Sequence, residues 1–168
     1  MKSLPLSRRR FIGLSTIGAA GVLFASKISF GQSQQKDKPP ALNHELVKEF
    51  VIAGHGNFER VKEMLTQEPG LLNATWDWGG GDFETALGGA GHMGRKDIAE
   101  FLINKGSRMD IFVATMLGKL DIVKAMLAAY PELVQSKGPH GLTFLHHARK
   151  GGEEAMPVLK YLESLGAA

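Results

Sequence analysis

Six histidines offer the most chemistry in this chain: His44, His55, His92, His140, His146 and His147. Imidazole serves as a general base or as a metal ligand. A zinc site needs three or four donors converging at about 2 Å. The chain has no cysteine, which removes disulfides, thiolate metal sites and a cysteine nucleophile together. His140 and His147 with Asp110 come nearest to a donor set, but they could converge only through the accident of how the chain stacks. The sequence therefore predicts no metal and no cofactor. Nucleophilic catalysis has less support, because no G-x-S-x-G elbow occurs. Gly79-Gly80-Gly81 is not followed by the Lys-Ser/Thr of a phosphate loop. Carboxylates scatter over helical surface positions, where solvation is the default. No catalytic residue is predicted, and the chain reads as a binder rather than an enzyme.

Trp76-Asp77-Trp78-Gly79-Gly80-Gly81-Asp82-Phe83 is the strongest recognition candidate. It holds both tryptophans, and alternation would put their rings on one face of an extended tip. Three glycines free the backbone for a sharp turn or a close approach to a ligand. Tryptophan is enriched in binding hot spots. Two other readings stand beside this one. One ring or both could fold back over the first helix pair, or the rings could stack on a carbohydrate. Gly138-Pro139-His140-Gly141 reads as a tight turn.

The elements that must carry these residues follow from glycine spacing. Gly56, Gly94, Gly118 and, more loosely, Gly152 each precede polar residues and then an apolar run, about every 32 residues on average. Each run has helical period; in the third, Leu120, Val123, Met126 and Leu127 share a face. Glu59, Asp97 and Asp121 sit near helix starts, where the dipole favours an acid. Pro69 and Pro131 stop helices, and Gly106 ends another. A second helix precedes each glycine, marked by Leu46 and Phe50, by Leu87 and Ala90, and by Phe112 and Met116. The glycine-rich helix near residues 86–91 is intrinsically poor and needs neighbours on both sides.

Thr143-Phe144-Leu145-His146-His147-Ala148 followed by Gly152 resembles the ankyrin T-P-L-H-x-A signature. Thr85-Ala86-Leu87-Gly88-Gly89-Ala90 followed by Gly94 has the same offsets. Asp97-Ile98-Ala99-Glu100-Phe101-Leu102 and Asp121-Ile122-Val123-Lys124-Ala125-Met126-Leu127 look like the second ankyrin helix, and Gly106-Ser107-Arg108-Met109-Asp110 looks like its turn. The likeness covers residues 42–166. It implies an all-α fold, an ankyrin-repeat solenoid of about four stacked helix pairs, with His146 bonded to neighbouring backbone. Three departures stand out: a long glycine-rich linkage over 69–83, almost no turn between the second and third units, and an insertion with Pro157 in the last. Trp-Asp-Trp-Gly-Gly-Gly-Asp and Gly-Pro-His-Gly also resemble strings of a bacterial ankyrin subgroup.

The formal charge of +3 hides an asymmetry. Residues 1–31 hold Lys2, Arg8, Arg9, Arg10 and Lys27 and no acid, whereas the remainder has two more acids than bases. Without a basic face in the remainder, nucleic acid is not an expected partner. Ser7-Arg8-Arg9-Arg10-Phe11 before an uncharged run to Ser26 resembles a twin-arginine export signal. The run is too short for a good membrane span. Residues 1–31 are thus expected to be a signal peptide, 32–41 a disordered linker and 42–168 the ankyrin-repeat domain. Arg8, Arg9 and Phe11 carry the signal, and membrane contact is expected only during export.

Together the resemblances imply a periplasmic scaffold that binds a protein partner. Its expected surface is Trp76, Asp77, Trp78, Asp82 and Phe83 at the tip, with Glu84, Gly88, His92 and Thr115 on the adjoining inner helices. Trp76 and Trp78 would be apolar anchors, with Asp77 and Asp82 supplying hydrogen bonds or turn caps. A small-molecule or glycan binder, or an accessory to a periplasmic enzyme, is the alternative.

Overall fold

Helix starts in this chain are set by short side chains that cap orphan backbone amides. In the computed structural model, which describes residues 38–167, α1 (His44–Gly54) begins at Asn43, whose side chain accepts from the Glu45 and Leu46 amides. Thr85 caps α3 (Ala86–Met93) by accepting from the Gly88 amide, and Asp110 caps α5 (Ile111–Met116) by accepting from Val113. Thr143 caps α7 (Phe144–Lys150) in the same way. Each is followed by a partner: α2 (Phe58–Gln67), α4 (Lys96–Asn104), α6 (Leu120–Ala129) and α8 (Met156–Ser164). Gly94, Gly118 and Gly152 take φ of +73°, +67° and +64° at the turns between partners, a conformation that costs glycine no Cβ clash. Pro69 and Pro131 end α2 and α6 as expected, each opening a 3-10 segment. Pro157 lies in the first turn of α8. Arg8, Arg9, Phe11 and the rest of the expected export signal lie outside the described residues.

The described residues are all-α in class, with one short hairpin among them. β1 (Thr75–Asp77) and β2 (Phe83–Thr85) pair antiparallel, with Trp76 opposite Glu84. A second tip forms at Lys137–Thr143, where a bridge closes on the tight turn Pro139–Gly141. Between α4 and α5 the chain passes through Lys105–Asp110 with no strand, so the second and third helix pairs have no tip between them. No described helix is long and apolar enough to cross a membrane.

Helices pack as partners, and α1, α3, α5 and α7 pack in succession. One core gathers Phe50, Val61, Met64, Leu87, Ile98, Leu102 and Met116; a second gathers Ile111, Val123, Leu127, Phe144, Val158 and Leu162. The short α5 contributes to both. In a simple column each unit would touch only its sequence neighbours. Here α7 packs on α3 as well as on α5, so that part of the expectation is corrected. The His146 ring donates from Nε2 to the His92 carbonyl at 2.9 Å, the backbone role expected of it.

Every residue of α3 from Ala86 to His92 is buried. Its glycines face different neighbours. A Cβ on Gly91 would come 3.0 Å from the Val113 side chain, and one on Gly89 would come 2.8 Å from the His55 ring. One on Gly88 would meet Glu84 at 3.4 Å and Pro139 at 3.8 Å. Packing on several sides holds a helix that its composition would not.

Candidate functional site

The two tips meet. With no tip between the second and third pairs, Asp82 of the hairpin reaches His140, 58 residues away. Its Oδ1 accepts from the His140 amide at 2.9 Å, and its Oδ2 accepts from Nδ1 of the ring at 3.0 Å. His140 holds φ of +59°, the one non-glycine residue with positive φ among those described. Such outliers concentrate at functional sites.

Behind this contact lies Glu84, only 1% exposed. Strand alternation turns its side chain inward while Phe83 points out. Its Oε2 accepts from Trp78 Nε1 at 2.8 Å and lies 3.3 Å from Nε2 of both His55 and His140. Its Oε1 lies 2.9 Å from His92 Nε2. That separation is within hydrogen-bond range, yet the pair does not form a hydrogen bond, and both atoms are buried without a hydrogen-bond partner. The His55 and His92 rings stand edge to face, 4.8 Å apart, and His140 lies 5.2 Å from His92. One donor atom from each of His55, Glu84, His92 and His140 fits within 4.8 Å of the others.

Burial opposes ionisation of Glu84, but the neighbouring His55, His92 and Trp78 nitrogens outweigh it and hold its carboxyl below the usual carboxylate range. The Glu84 carboxylate raises the His55 pKa, against the smaller effect of burial. His147 goes the other way, lowered chiefly by burial.

The tip residues Asp77, Trp78 and Phe83 are exposed as expected, but the adjoining helix positions are not. Glu84, Gly88, His92 and Thr115, expected on a recognition surface, are buried; Thr115 is fully so and donates its hydroxyl to the Ile111 carbonyl. The cause is α3, enclosed by its neighbours, and α5, which serves both cores. Trp76 is half-buried against the first core with the Lys48 ammonium over its ring, and Trp78 is engaged with Glu84. Asp77 caps the glycine turn, its Oδ1 accepting from the Gly79 and Gly81 amides. Phe83 does stand free, 61% exposed.

The donor set considered from sequence, His140 and His147 with Asp110, does not form. His147 is buried in α7 and donates to the Thr143 carbonyl, and Asp110 is occupied as a helix cap. His140 instead joins His55 and His92 around Glu84, a carboxylate that no sequence spacing singles out as a donor. The donors that do converge are thus a different set from the one the sequence suggested. The one signal that could have found the set is the glycine pair Gly88-Gly89, which makes room beside α3.

No protein-family model matches the chain, and no curated protein matches it.

Proposed function

We propose that the protein is an ankyrin-type array of four helix pairs that binds another protein through the edge where its two tips meet, and that residues 1–31 export it to the bacterial periplasm. The observation that carries this reading is Phe83. It is a large apolar side chain left open on a rigid hairpin, with nothing in the fold requiring it there. It lines a cleft of about 350 Å³ with Ile111, Phe112, Lys137 and Pro139, in the gap where a third tip would stand. A buried aromatic anchor flanked by polar residues is the usual form of an interface hot spot. The Asp82–His140 contact fixes the two walls of the cleft, which limits the ordering cost of association.

The reading is tested by crosslinking in intact cells, with mass spectrometry to identify the partner, followed by capture with Phe83→Ala. The variant is expected to keep its fold, with stability within about 0.5 kcal/mol of wild type, and to lose the partner. Undiminished capture would rule out this edge.

A further inference from the structure

We propose that His55, Glu84, His92 and His140 bind a single zinc ion, which locks the turn Pro139–Gly141 onto the hairpin and α3. This goes beyond the partner-binding reading and stands whether or not Phe83 contacts a partner.

The first support is the pair of unsatisfied atoms. Glu84 Oε1 and His92 Nε2 are buried, close together and not hydrogen-bonded. Buried polar atoms without partners are rare and costly. Two donors that lie side by side without bonding each other can both bond a third atom between them.

The second is tautomer logic. His55 Nδ1 lies 2.9 Å from the Val51 carbonyl, which can only accept, so Nδ1 carries a proton. His140 Nδ1 is assigned the same way by the Asp82 carboxylate. In neutral rings both Nε2 atoms then present lone pairs to an anionic Glu84, an arrangement that is satisfied by a second proton on the ring or by a metal cation held between the three groups. The outer partners Val51 and Asp82 are those expected behind metal-bound histidines, fixing the ring and its tautomer. Trp78 does the same for the carboxylate: its N–H holds Oε2 at 2.8 Å, leaving Oε1 and the second lone pair of Oε2 for a metal.

The third is size and donor type. Zinc bonds of 2.0–2.1 Å in a tetrahedron separate the donor atoms by about 3.3 Å. Here His92 Nε2 lies 2.9 Å from Oε1, His55 and His140 Nε2 each lie 3.3 Å from Oε2, and the four donor atoms all fall within 4.8 Å of one another, so modest ring rotation closes the tetrahedron. Three imidazoles and one carboxylate suit zinc or a neighbouring transition metal, not calcium or magnesium. Four protein donors give a closed site, the form of structural zinc. The space is built in: a Cβ at Gly89 would strike the His55 ring.

The test uses the untagged full chain, stripped with a chelator and titrated with zinc chloride by calorimetry. One equivalent per chain is expected, with a rise in Tm and a change in Trp78 fluorescence. Cobalt(II) in place of zinc should give the strong visible absorption of a tetrahedral site. His140→Asn tolerates the positive φ and should weaken zinc at least tenfold with the helical circular dichroism intact. Asp82→Asn, which leaves all four ligands in place, should weaken it about tenfold. Less than half an equivalent on the wild-type chain would overturn the proposal. So would stoichiometric zinc that both variants bind as tightly as wild type.

Discussion

Trp78 has one hydrogen-bond donor, and it points at a buried carboxylate. Hydrogen bonds to charged groups are worth more than neutral ones, so Trp78→Phe is expected to destabilise the protein by about 1–2 kcal/mol, read from urea unfolding. A loss under a few tenths would show the bond to be incidental. His147 makes a prediction about pH. Burial lowers its folded pKa below the unfolded value of 6.5, so between those two values the unfolded chain binds the extra proton. The stability this residue contributes is full above pH 6.5 and is lost as pH falls toward the folded pKa. NMR titration should show the His147 ring protonating below pH 6.5; protonation at 6.5 or above would refute this. At this scale the sequence was only partly legible. Asp77 as a turn cap and His146 as a backbone partner could be read, because their targets are local or set by a motif. The value of Glu84 could not, since it comes from rings 29 residues before it, 8 after and 56 after, with no spacing rule to join them.

The glycines that mark helix boundaries also govern how closely helices approach. A Cβ on Gly54 would fall 2.4 Å from the Ala86 carbonyl oxygen, and one on Gly151 would fall 2.1 Å from that of Met116. Both obstacles are backbone and cannot rotate away. Gly54→Ala should therefore cost about 1–3 kcal/mol despite its helical position, whereas the same change in an open helix is favourable. A denaturation midpoint equal to wild type would exclude the tight α1–α3 approach. Helix existence and proline stops were legible in sequence because each is settled within a few residues, as at Pro69 and Pro131; the caps Thr85, Asp110 and Thr143 are equally local but emerge only with the structure. The side each α3 residue faces was not legible. With neighbours on several sides, burial of α3 loses the one-sided periodicity that reveals a surface helix.

Over the whole molecule, α7 ties the last helix pair back to α3, and α5 belongs to both cores. An array with nearest-neighbour contacts alone can fray from an end. Here the extra contact should make unfolding cooperative, so Trp78 fluorescence and far-ultraviolet circular dichroism are expected to trace coincident urea transitions. Two separated transitions would show the C-terminal pair to be an independent unit. The number and order of helix pairs could be foreseen from the glycine recurrence. The α3–α7 contact could not, because it depends on how closely the short Lys105–Asp110 connection lets the helix pairs approach, and residue pattern does not give that distance.

Lys105–Asp110 has the character of a spacer whose brevity is its contribution. A finger of ordinary length inserted there would stand between Asp82 and His140 and hold them apart, with every residue of the cluster still in place. In this protein a short connection rather than an added side chain permits the meeting point, and lengthening that one featureless segment would undo it.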